Sequence, residues 1–426
     1  MKHLAGFALI FAFPCAMGAA EPVGALHDRV LSAIRIGANY TCDVLLDEEG
    51  KSRCDYDMIT GRWQPYEPAW HTGQLILGLV ESYRVTHEPR FLAGARRAGN
   101  WWVSLEIRDH PRLKGMVRAV HGAGVNYIVF ATVSDGTPGL FALWRETGDE
   151  RYAAVPTRAG EWMLQHMYDR ENGVFYDAVD PETGEVQKVE SPFWEGRTEQ
   201  KLYDLARPNN EGSIFKDMYL FTHDERYRQV FIELCDSLVA KQGPEGMWMD
   251  FTPNNKAEGR LHPRFNLWYA ESLLEGYDLT GDRRYLESAV RTLQAYTRLQ
   301  KKDGTIFYTN YLDGRSTPNS PSGSTVALAG LLWLRVTRLG AGTDFEANIE
   351  RSLEWILANR FAADHPDRNV AGGFIDLRSS GQKNRLVQRD LGTSFALRFL
   401  AAYYRDRLAN ATGDATSPSP TPPSHP

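Results

Sequence analysis

Cysteine is scarce in this sequence, and its few thiols form no metal-binding pattern. The 426 residues include Cys15, Cys42, Cys54 and Cys235, and no two of them have the spacing of a metal site. Cys42 and Cys54 flank an acidic turn, so they could form a disulfide in an oxidising compartment. Cys235 falls on an outer-helix face, where a small buried hydrophobic residue is expected.

Basic runs and nucleotide-binding motifs are also missing. The net charge is −6, and no cluster of lysines and arginines offers a surface for nucleic acid. No P-loop, dinucleotide fingerprint or Ser-His-Asp signature is visible. The sequence therefore argues against a nucleic-acid partner, and we expect neither a metal nor a cofactor.

The two ends differ in composition from the rest of the chain. Lys2 and His3 precede an apolar run from Leu4 to Met17, and small residues follow it. This pattern is typical of a secretory signal peptide, and the run is too short to span a bilayer. We therefore expect residues 1–20 to be removed from an exported protein, periplasmic or secreted, with no membrane span. Residues 411–426, rich in Ser, Thr and Pro, are predicted to be disordered, which leaves 21–410 as one domain.

A short junction recurs along that domain. It is spelled THEPRF at 86–91, TGDERY at 147–152, THDERY at 222–227 and TGDRRY at 280–285. The junctions lie roughly 60 to 75 residues apart, a period that indicates a repeat architecture. Each joins an apolar helix rich in Gly and Ala to an amphipathic helix with a charged face. The sequence thus predicts an all-α ring of helical hairpins with buried inner and solvated outer helices.

Six inner helices alternate with six outer helices in this prediction, and the first helix pairs with the last to close the ring. The predicted helices cover residues 23–46, 72–86, 91–106, 136–146, 151–168, 212–221, 225–241, 265–279, 284–299, 323–339, 345–360 and 392–407. After several outer helices, a glycine followed by alternating aromatic and polar residues predicts a turn into a short strand. These segments are 169–177, 243–250, 303–308 and 372–376.

Hairpins joined by Thr-Gly-Asp-x-Arg-Tyr and followed by Asp-Gly-x-aromatic turns resemble the six-hairpin glycosidase superfamily. The resemblance covers about residues 23–410 and implies an (α/α)6 barrel. Members of that superfamily include glycoside hydrolases, unsaturated glucuronyl hydrolases, polysaccharide lyases and sugar epimerases. The fold therefore does not choose the reaction, and the residues at the barrel mouth must be considered separately.

Carboxylates recur at the starts of inner helices. Asp135, Glu211 and Asp390 each stand just before a Gly and a Ser or Thr that could begin a helix. The Ser or Thr is a natural helix cap, and the carboxylate is expected to point out at the barrel mouth. Glycosidic hydrolysis needs one carboxylic acid and one carboxylate. We predict Glu211 and Asp135 as this pair and Asp390 as a supporting carboxylate, although helix dipoles also favour acidic residues there.

The loops before the inner helices hold the predicted substrate-binding residues. Aromatic side chains are candidate platforms for sugar rings, and arginine binds carboxylates through two hydrogen bonds. Binding residues concentrate in such loops over a rigid scaffold. The predicted set is Trp70, His71, His121, Tyr127, Trp194, Asn210, His262, Arg264 and Arg389.

We therefore predict a glycoside hydrolase that cleaves a poly- or oligosaccharide, and a uronate-containing polymer is among the candidate substrates. A polysaccharide lyase is the first alternative, in which Asn210 or Arg264 neutralises the uronate carboxylate. In that mechanism His71, His121 or Tyr127 is the base and a tyrosine is the acid. A non-catalytic glycan-binding or export scaffold is the second alternative, since it would keep the aromatic residues and need none of the carboxylates.

Overall fold

The computed structural model of the protein describes residues 23–121, 126–188, 206–207, 213–251, 253–380 and 385–409. The predicted signal peptide and C-terminal tail lie outside these ranges. None of the helices in the described ranges combines the length and the apolarity that crossing a bilayer requires.

Helices account for most of the described chain. They are α1 (Val23–Tyr40), α2 (Pro68–Thr86), α3 (Pro89–Ser104), α4 (Phe130–Ser134), α5 (Thr137–Thr147), α6 (Arg151–His166), α7 (Ile214–Thr222), α8 (Glu225–Lys241), α9 (Phe265–Thr280), α10 (Arg283–Thr297), α11 (Gly323–Arg338), α12 (Glu346–Ala358) and α13 (Leu391–Tyr403). A π-helical turn extends α1 over Thr41–Leu45, and another extends α13 over Tyr404–Leu408.

In the described part of the chain, short antiparallel strands form four small sheets between the helices. They are β1 (Asp55–Asp57), β2 (Arg62–Gln64), β3 (Ile128–Val129), β4 (Tyr168–Asp169), β5 (Val174–Tyr176), β6 (Ala178–Val179), β7 (Ala206–Arg207), β8 (Arg260–Leu261), β9 (Phe307–Tyr311), β10 (Ser316–Pro321), β11 (Leu377–Ser380) and β12 (Arg385–Arg389). The strand orders are β11-β12-β1-β2, β10-β9-β8, β3-β6 and β4-β5-β7. The first sheet joins the beginning of the domain to its end, because Asp55 of β1 is paired with Arg389 of β12.

The inner helices α2, α5, α7, α9, α11 and α13 form a closed ring. Helix α13 packs on α11 and α2, α2 packs on α5, and α5 packs on α7. An ion pair between Lys216 and Glu275 joins α7 to α9, which packs on α11. Helix α1 packs against α2, α12 and α13, so it supplies the outer partner of the last inner helix. The predicted all-α (α/α)6 barrel and its closure by the first helix are confirmed.

The repeated junctions are turns that begin the outer helices. The residue after the junction threonine has a left-handed backbone at each one, with φ of 54° at His87, 70° at Gly148, 57° at His223 and 71° at Gly281. That conformation ends the inner helix because it cannot continue the right-handed path. The repeated sequence is therefore explained first by the need for a residue with a left-handed backbone at the end of each of these inner helices.

The aspartate, arginine and tyrosine of the junction complete this turn. Asp224 accepts a hydrogen bond from the backbone N–H of Arg226 at 2.9 Å and so caps α8. The guanidinium of Arg226 binds the same carboxylate at 2.7 Å and lies 5.4 Å from the ring centre of Tyr227. Asp282, Arg284 and Tyr285 repeat this arrangement. The junctions are thus structural and do not contribute to a site.

Two predictions of local structure need correction. Helix α2 begins at Pro68, four residues earlier than predicted, because Pro is favoured in the first helical turn. Trp70 and His71 therefore lie in a helix and not in a loop. Residues 243–250 form turns without a strand, whereas strands are present at Val174–Tyr176 and Phe307–Tyr311 as predicted.

The cysteines are separate thiols. Cys42 and Cys54 are buried free thiols, so the possible Cys42–Cys54 disulfide is not formed. The thiol of Cys54 donates to the carbonyl oxygen of Ser52 at 3.6 Å, and Cys42 lies beside Arg90. Cys235 is 0% exposed, which confirms its prediction as a small buried hydrophobic residue.

Candidate functional site

The N-terminal ends of α2, α5, α9, α11 and α13 meet at one end of the barrel. The glycines at these ends let the backbones approach closely. A Cβ on Gly73 would collide with the backbone of Gly136, and a Cβ on Gly323 would collide with the carbonyl of Ile375. The glycines therefore allow close backbone packing at this end of the barrel.

Asp135 lies between α4 and α5 and is 4% exposed. Its carbonyl oxygen accepts a hydrogen bond from Nε2 of Gln74 on α2 at 2.6 Å, which ties the two inner helices together. The prediction that Thr137 caps α5 is wrong, because its hydroxyl donates to the carbonyl oxygen of Ser134 at 2.7 Å. The backbone of Asp135 is thus anchored at the start of α5.

Asp390 is buried more deeply than the sequence suggested. We expected its carboxylate to point out at the barrel mouth, but its side chain is 0% exposed. One oxygen lies 2.5 Å from Nδ1 of His71, and the other accepts from the hydroxyl of Ser52 at 2.5 Å. The helix-capping contact expected from Thr393 is also absent from α13, since that hydroxyl accepts from the N–H of Phe374. Asp390 is therefore the partner of a buried histidine.

Arg389 continues this network toward the domain's first hairpin. Its Nε donates to Asp55 at 3.1 Å, and its Nη2 lies 3.4 Å from Nε2 of His71. Burial alone would raise the pKa of Asp55, but the Arg389 guanidinium, helped by His71 and Arg378, lowers it below its usual value.

Asp55, His71 and Asp390 are potential metal ligands whose donor atoms lie within 4.8 Å of one another. The guanidinium of Arg389 already contacts Asp55 and His71, so it occupies the position in which a metal ion would bind. This donor set therefore does not fit a metal ion.

A second arginine lies beside an aromatic cluster. Arg264 is 1% exposed, donates to the hydroxyl of Ser324 at 2.8 Å and lies 5.6 Å from the ring centre of Trp268. Within the described part of the chain, its Nε has no hydrogen-bond partner. The ring of Trp70 meets Trp268 edge to face at 5.6 Å, and its Nε1 also lacks a partner among the described residues. Buried donors without partners are rare and mark places where a ligand or water binds.

Tyr308 borders the same cluster. Its hydroxyl lies 3.5 Å from Nε2 of His262, and the guanidinium of Arg378 lies 4.5 Å from its ring centre. Burial would raise the pKa of the Tyr308 phenol, but Arg378, Arg264 and Arg389 together lower it below its ordinary value. A phenol that ionises more easily than usual is a candidate proton donor or acceptor.

Glu67 is a further carboxylate at this end of the barrel. It precedes α2 with φ of 56°, an unusual backbone for a residue with a side chain. Its Oε1 accepts from the hydroxyl of Thr132 at 3.0 Å and lies 3.1 Å from Nε2 of His121. Thr132 belongs to α4, three residues before Asp135, so Glu67 and Asp135 stand at adjacent helix starts.

The structure thus brings most of the predicted site residues to one end of the barrel. Trp70, His71, His262, Arg264, Arg389 and Asp390 share one contact network, and His121 joins Glu67. Tyr127 packs on a small separate cluster beside β3 and accepts the N–H of His121 through its carbonyl oxygen. Glu211, Trp194 and Asn210 lie outside the described residues, so their roles stay predictions.

Sequence reasoning did not single out Asp55, Glu67 or Tyr308. Glu67 had a recognisable signal, since it directly precedes a proline at a helix start. Asp55 and Tyr308 had none, because they belong to short strands that only the fold brings to the mouth.

Comparisons with known proteins show similarity of fold without similarity of sequence. No protein-family model and no curated protein sequence matches this chain. Cellobiose 2-epimerase from Bacillus thermoamylovorans B4167 matches with 13% identity and a TM-score of 0.66, over 89% of this chain and 98% of that one.

Two further solved structures show how broadly the fold is used. An unsaturated glucuronyl hydrolase specific for heparin matches with 11% identity and a TM-score of 0.62, over 91% of this chain and 98% of that one. A type II terpene cyclase from Scytonema matches with 14% identity and a TM-score of 0.52, over 89% and 98%. The chain therefore shares its (α/α)6-barrel fold with these solved structures, as its repeated junctions predicted.

Proposed function

We propose that this protein is a carbohydrate-active enzyme that hydrolyses a glycosidic bond at the barrel mouth. The observation that carries the proposal is the placement of two carboxylates, Asp135 and Glu67, at adjacent helix starts on the barrel end that also holds Trp70 and Trp268. Aromatic faces suit sugar rings, and hydrolysis needs two carboxyl groups. Sugar-acting enzymes among the proteins of similar fold support this substrate class.

The roles of the two carboxylates follow from their surroundings. Asp135 is 4% exposed, and Gln74 anchors its backbone carbonyl at the start of α5, so its position is fixed as suits a group that donates a proton to a leaving oxygen. Glu67 is oriented by Thr132 and His121, and its side chain is 12% exposed, so water can reach it. Glu67 is then placed to activate water, and Glu211 remains our sequence-based alternative for that role.

The test compares amide variants with a charge-matched control. Asp135→Asn and Glu67→Gln keep the side-chain size and remove the titratable group. Each is expected to lower kcat at least about a hundredfold, the usual effect of losing a general acid or base. Asp28→Asn on α1, 84% exposed, is the control and should be fully active. Normal turnover by both amide variants would refute the assignment.

β-Elimination on a uronate polymer is the second candidate, favoured by the surroundings of Tyr308. Three arginines lower the pKa of its phenol, and His262 contacts its hydroxyl. An arginine that neutralises a uronate and a phenol that moves a proton are what elimination needs.

A polysaccharide screen distinguishes these reactions. New reducing ends without ultraviolet absorbance indicate hydrolysis, while absorbance from a new carbon–carbon double bond indicates elimination. Under elimination, Tyr308→Phe should abolish activity and Asp135→Asn should not. Binding of the polymer without any product would support a non-catalytic role and refute both reactions.

A further inference from the structure

Ion pairs join every two neighbouring inner helices, and most of them lie towards the C-terminal ends of these helices, away from the mouth. We call these six joints the ion-pair belt. Taken around the ring, they are Arg84–Glu146 between α2 and α5 at 2.8 Å, Arg145–Asp217 between α5 and α7, Lys216–Glu275 between α7 and α9, Arg335–Glu275 between α11 and α9 at 2.5 Å, Arg338–Asp406 between α11 and the extension of α13 at 3.3 Å, and Arg405–Glu81 between that extension and α2 at 2.6 Å.

The charged residues of the belt recur at fixed positions of the hairpin repeat. Glu81, Asp217 and Glu275 each lie five residues before the junction threonine that ends their inner helix. Each of these carboxylates binds a cation from a neighbouring inner helix. Arg84 and Arg145 also share a position, since each lies two residues before its junction threonine. The belt therefore follows the period of the repeat.

Most charges of the belt are partly shielded from water. The side chains of Asp217 and Glu81 are 8% and 14% exposed, and those of Lys216 and Arg335 are 17% and 15% exposed. An exposed ion pair adds little to stability, but a partly buried charge that loses its partner is costly. The joint of Arg338, whose side chain is 61% exposed, is the most open to water and therefore the weakest.

The two ends of the ring are closed in different ways. At the mouth, glycines let the helix backbones touch, as where a Cβ on Gly139 would collide with the carbonyl oxygen of Gly73. In the belt, long side chains span the space between neighbours, as Lys216 does between α7 and α9. Because each inner helix is held from both sides, the loss of one joint removes a closure that all six helices share.

We propose that the six ion pairs act together as a closed belt that holds the ring of inner helices shut at the end opposite the mouth. A break at one joint turns the belt into an open chain with two ends, so helices on the far side of the ring also lose a constraint. Independent ion pairs would behave differently, because the loss of one would loosen only the two helices that it joins. The belt can be tested without a substrate, so the result does not depend on the proposed function.

Hydrogen exchange of the backbone amides, followed by mass spectrometry on the full chain, tests this behaviour. Arg145→Glu and Asp217→Arg each place like charges in the joint between α5 and α7, while the double variant restores an ion pair of reversed sign. We expect each single variant to speed exchange at least about tenfold in α5 and α7, and at least about threefold in α11 and α13 on the opposite side of the ring. The double variant should return all four helices most of the way to the wild-type rates.

A matched control and two milder variants complete the test. Glu354→Gln breaks an ion pair with Arg29, 3.0 Å long, between the outer helices α12 and α1 and leaves the belt intact. It should change exchange in the inner helices by less than about twofold. If the charge reversals do not fold, Arg145→Gln and Asp217→Asn break the same joint without like charges and should give the same pattern at smaller amplitude. Faster exchange confined to α5 and α7, or a double variant no closer to wild type than the single ones, would overturn the inference.

Discussion

The ion pair between Asp55 and Arg389 allows a sharp prediction of stability. The two side chains are 10% and 2% exposed, and the atoms lie 3.1 Å apart. Asp55→Asn leaves a buried guanidinium without its counter-charge, and breaking such a pair costs about 3–5 kcal/mol. Because His71 still accepts a hydrogen bond from Nη2, we expect a loss near the lower end, about 3 kcal/mol in the free energy of unfolding.

The same pair should make stability depend on pH in one direction. The pKa of Asp55 is held below its ordinary value in the folded protein by Arg389. Its contribution is therefore complete above the unfolded-state pKa of about 3.9 and is lost as the pH falls through the lower folded-state value. The difference in stability between wild type and Asp55→Asn should shrink in that acidic window and stay constant near neutral pH.

Urea unfolding at several pH values measures both effects. Glu287→Gln is the control, because it breaks an exposed helix pair with Arg283, in which the side chains are 59% and 73% exposed. That change should cost less than about 0.5 kcal/mol. Two results would contradict the prediction: a loss below about 1 kcal/mol in the free energy of unfolding for Asp55→Asn, or a stability difference from wild type that grows as the pH falls. Either result would show that the pair does not stabilise the sheet that joins the two ends of the domain.

Three further predictions concern packing and thiols. Gly73→Ala should destabilise the protein by about 1–3 kcal/mol in thermal or urea unfolding, because its Cβ would collide with the backbone of the next inner helix. Cys42 and Cys54 should both be alkylated when the protein is unfolded without reductant, as mass spectrometry would show. An unlabelled pair, with the mass of the protein two hydrogen atoms lower than that of the free thiols, would contradict this. Trp102→Phe should cost about 1–3 kcal/mol, since it leaves the buried carbonyl of Ala69 without its 3.1 Å indole donor; an unchanged midpoint would contradict this.

The architecture was predictable because its signals are local and repeated. A left-handed residue after the junction threonine, a capping aspartate and an arginine that binds it all lie within six residues, so their pattern is visible in the sequence. The alternation of apolar and amphipathic helices needs only the helical period. Helix ends were less predictable: α2 starts at Pro68, four residues before the predicted start, and the left-handed backbone of Glu67 before it is unusual for a residue with a side chain.

The site was only partly predictable, because its contacts join residues far apart in the chain. The sequence marked Asp135, Asp390, His71, Arg264 and Arg389 by their place before inner helices. It gave no sign that Asp390 would be buried against His71, 319 positions away, nor that Asp55 would pair with Arg389, 334 positions away. Those partners depend on the β1–β12 pairing, which forms only when the barrel closes.

By itself, then, the sequence determined the repeat, the helices and the end of the ring at which the candidate residues gather, since each of these rests on contacts within a few residues. The tertiary structure alone decided which carboxylates face the mouth and which pair with a buried cation. It also decided where buried donors without hydrogen-bond partners remain. Burial and charge at a position depend on every element packed around it, and in a closed ring those elements come from both ends of the domain.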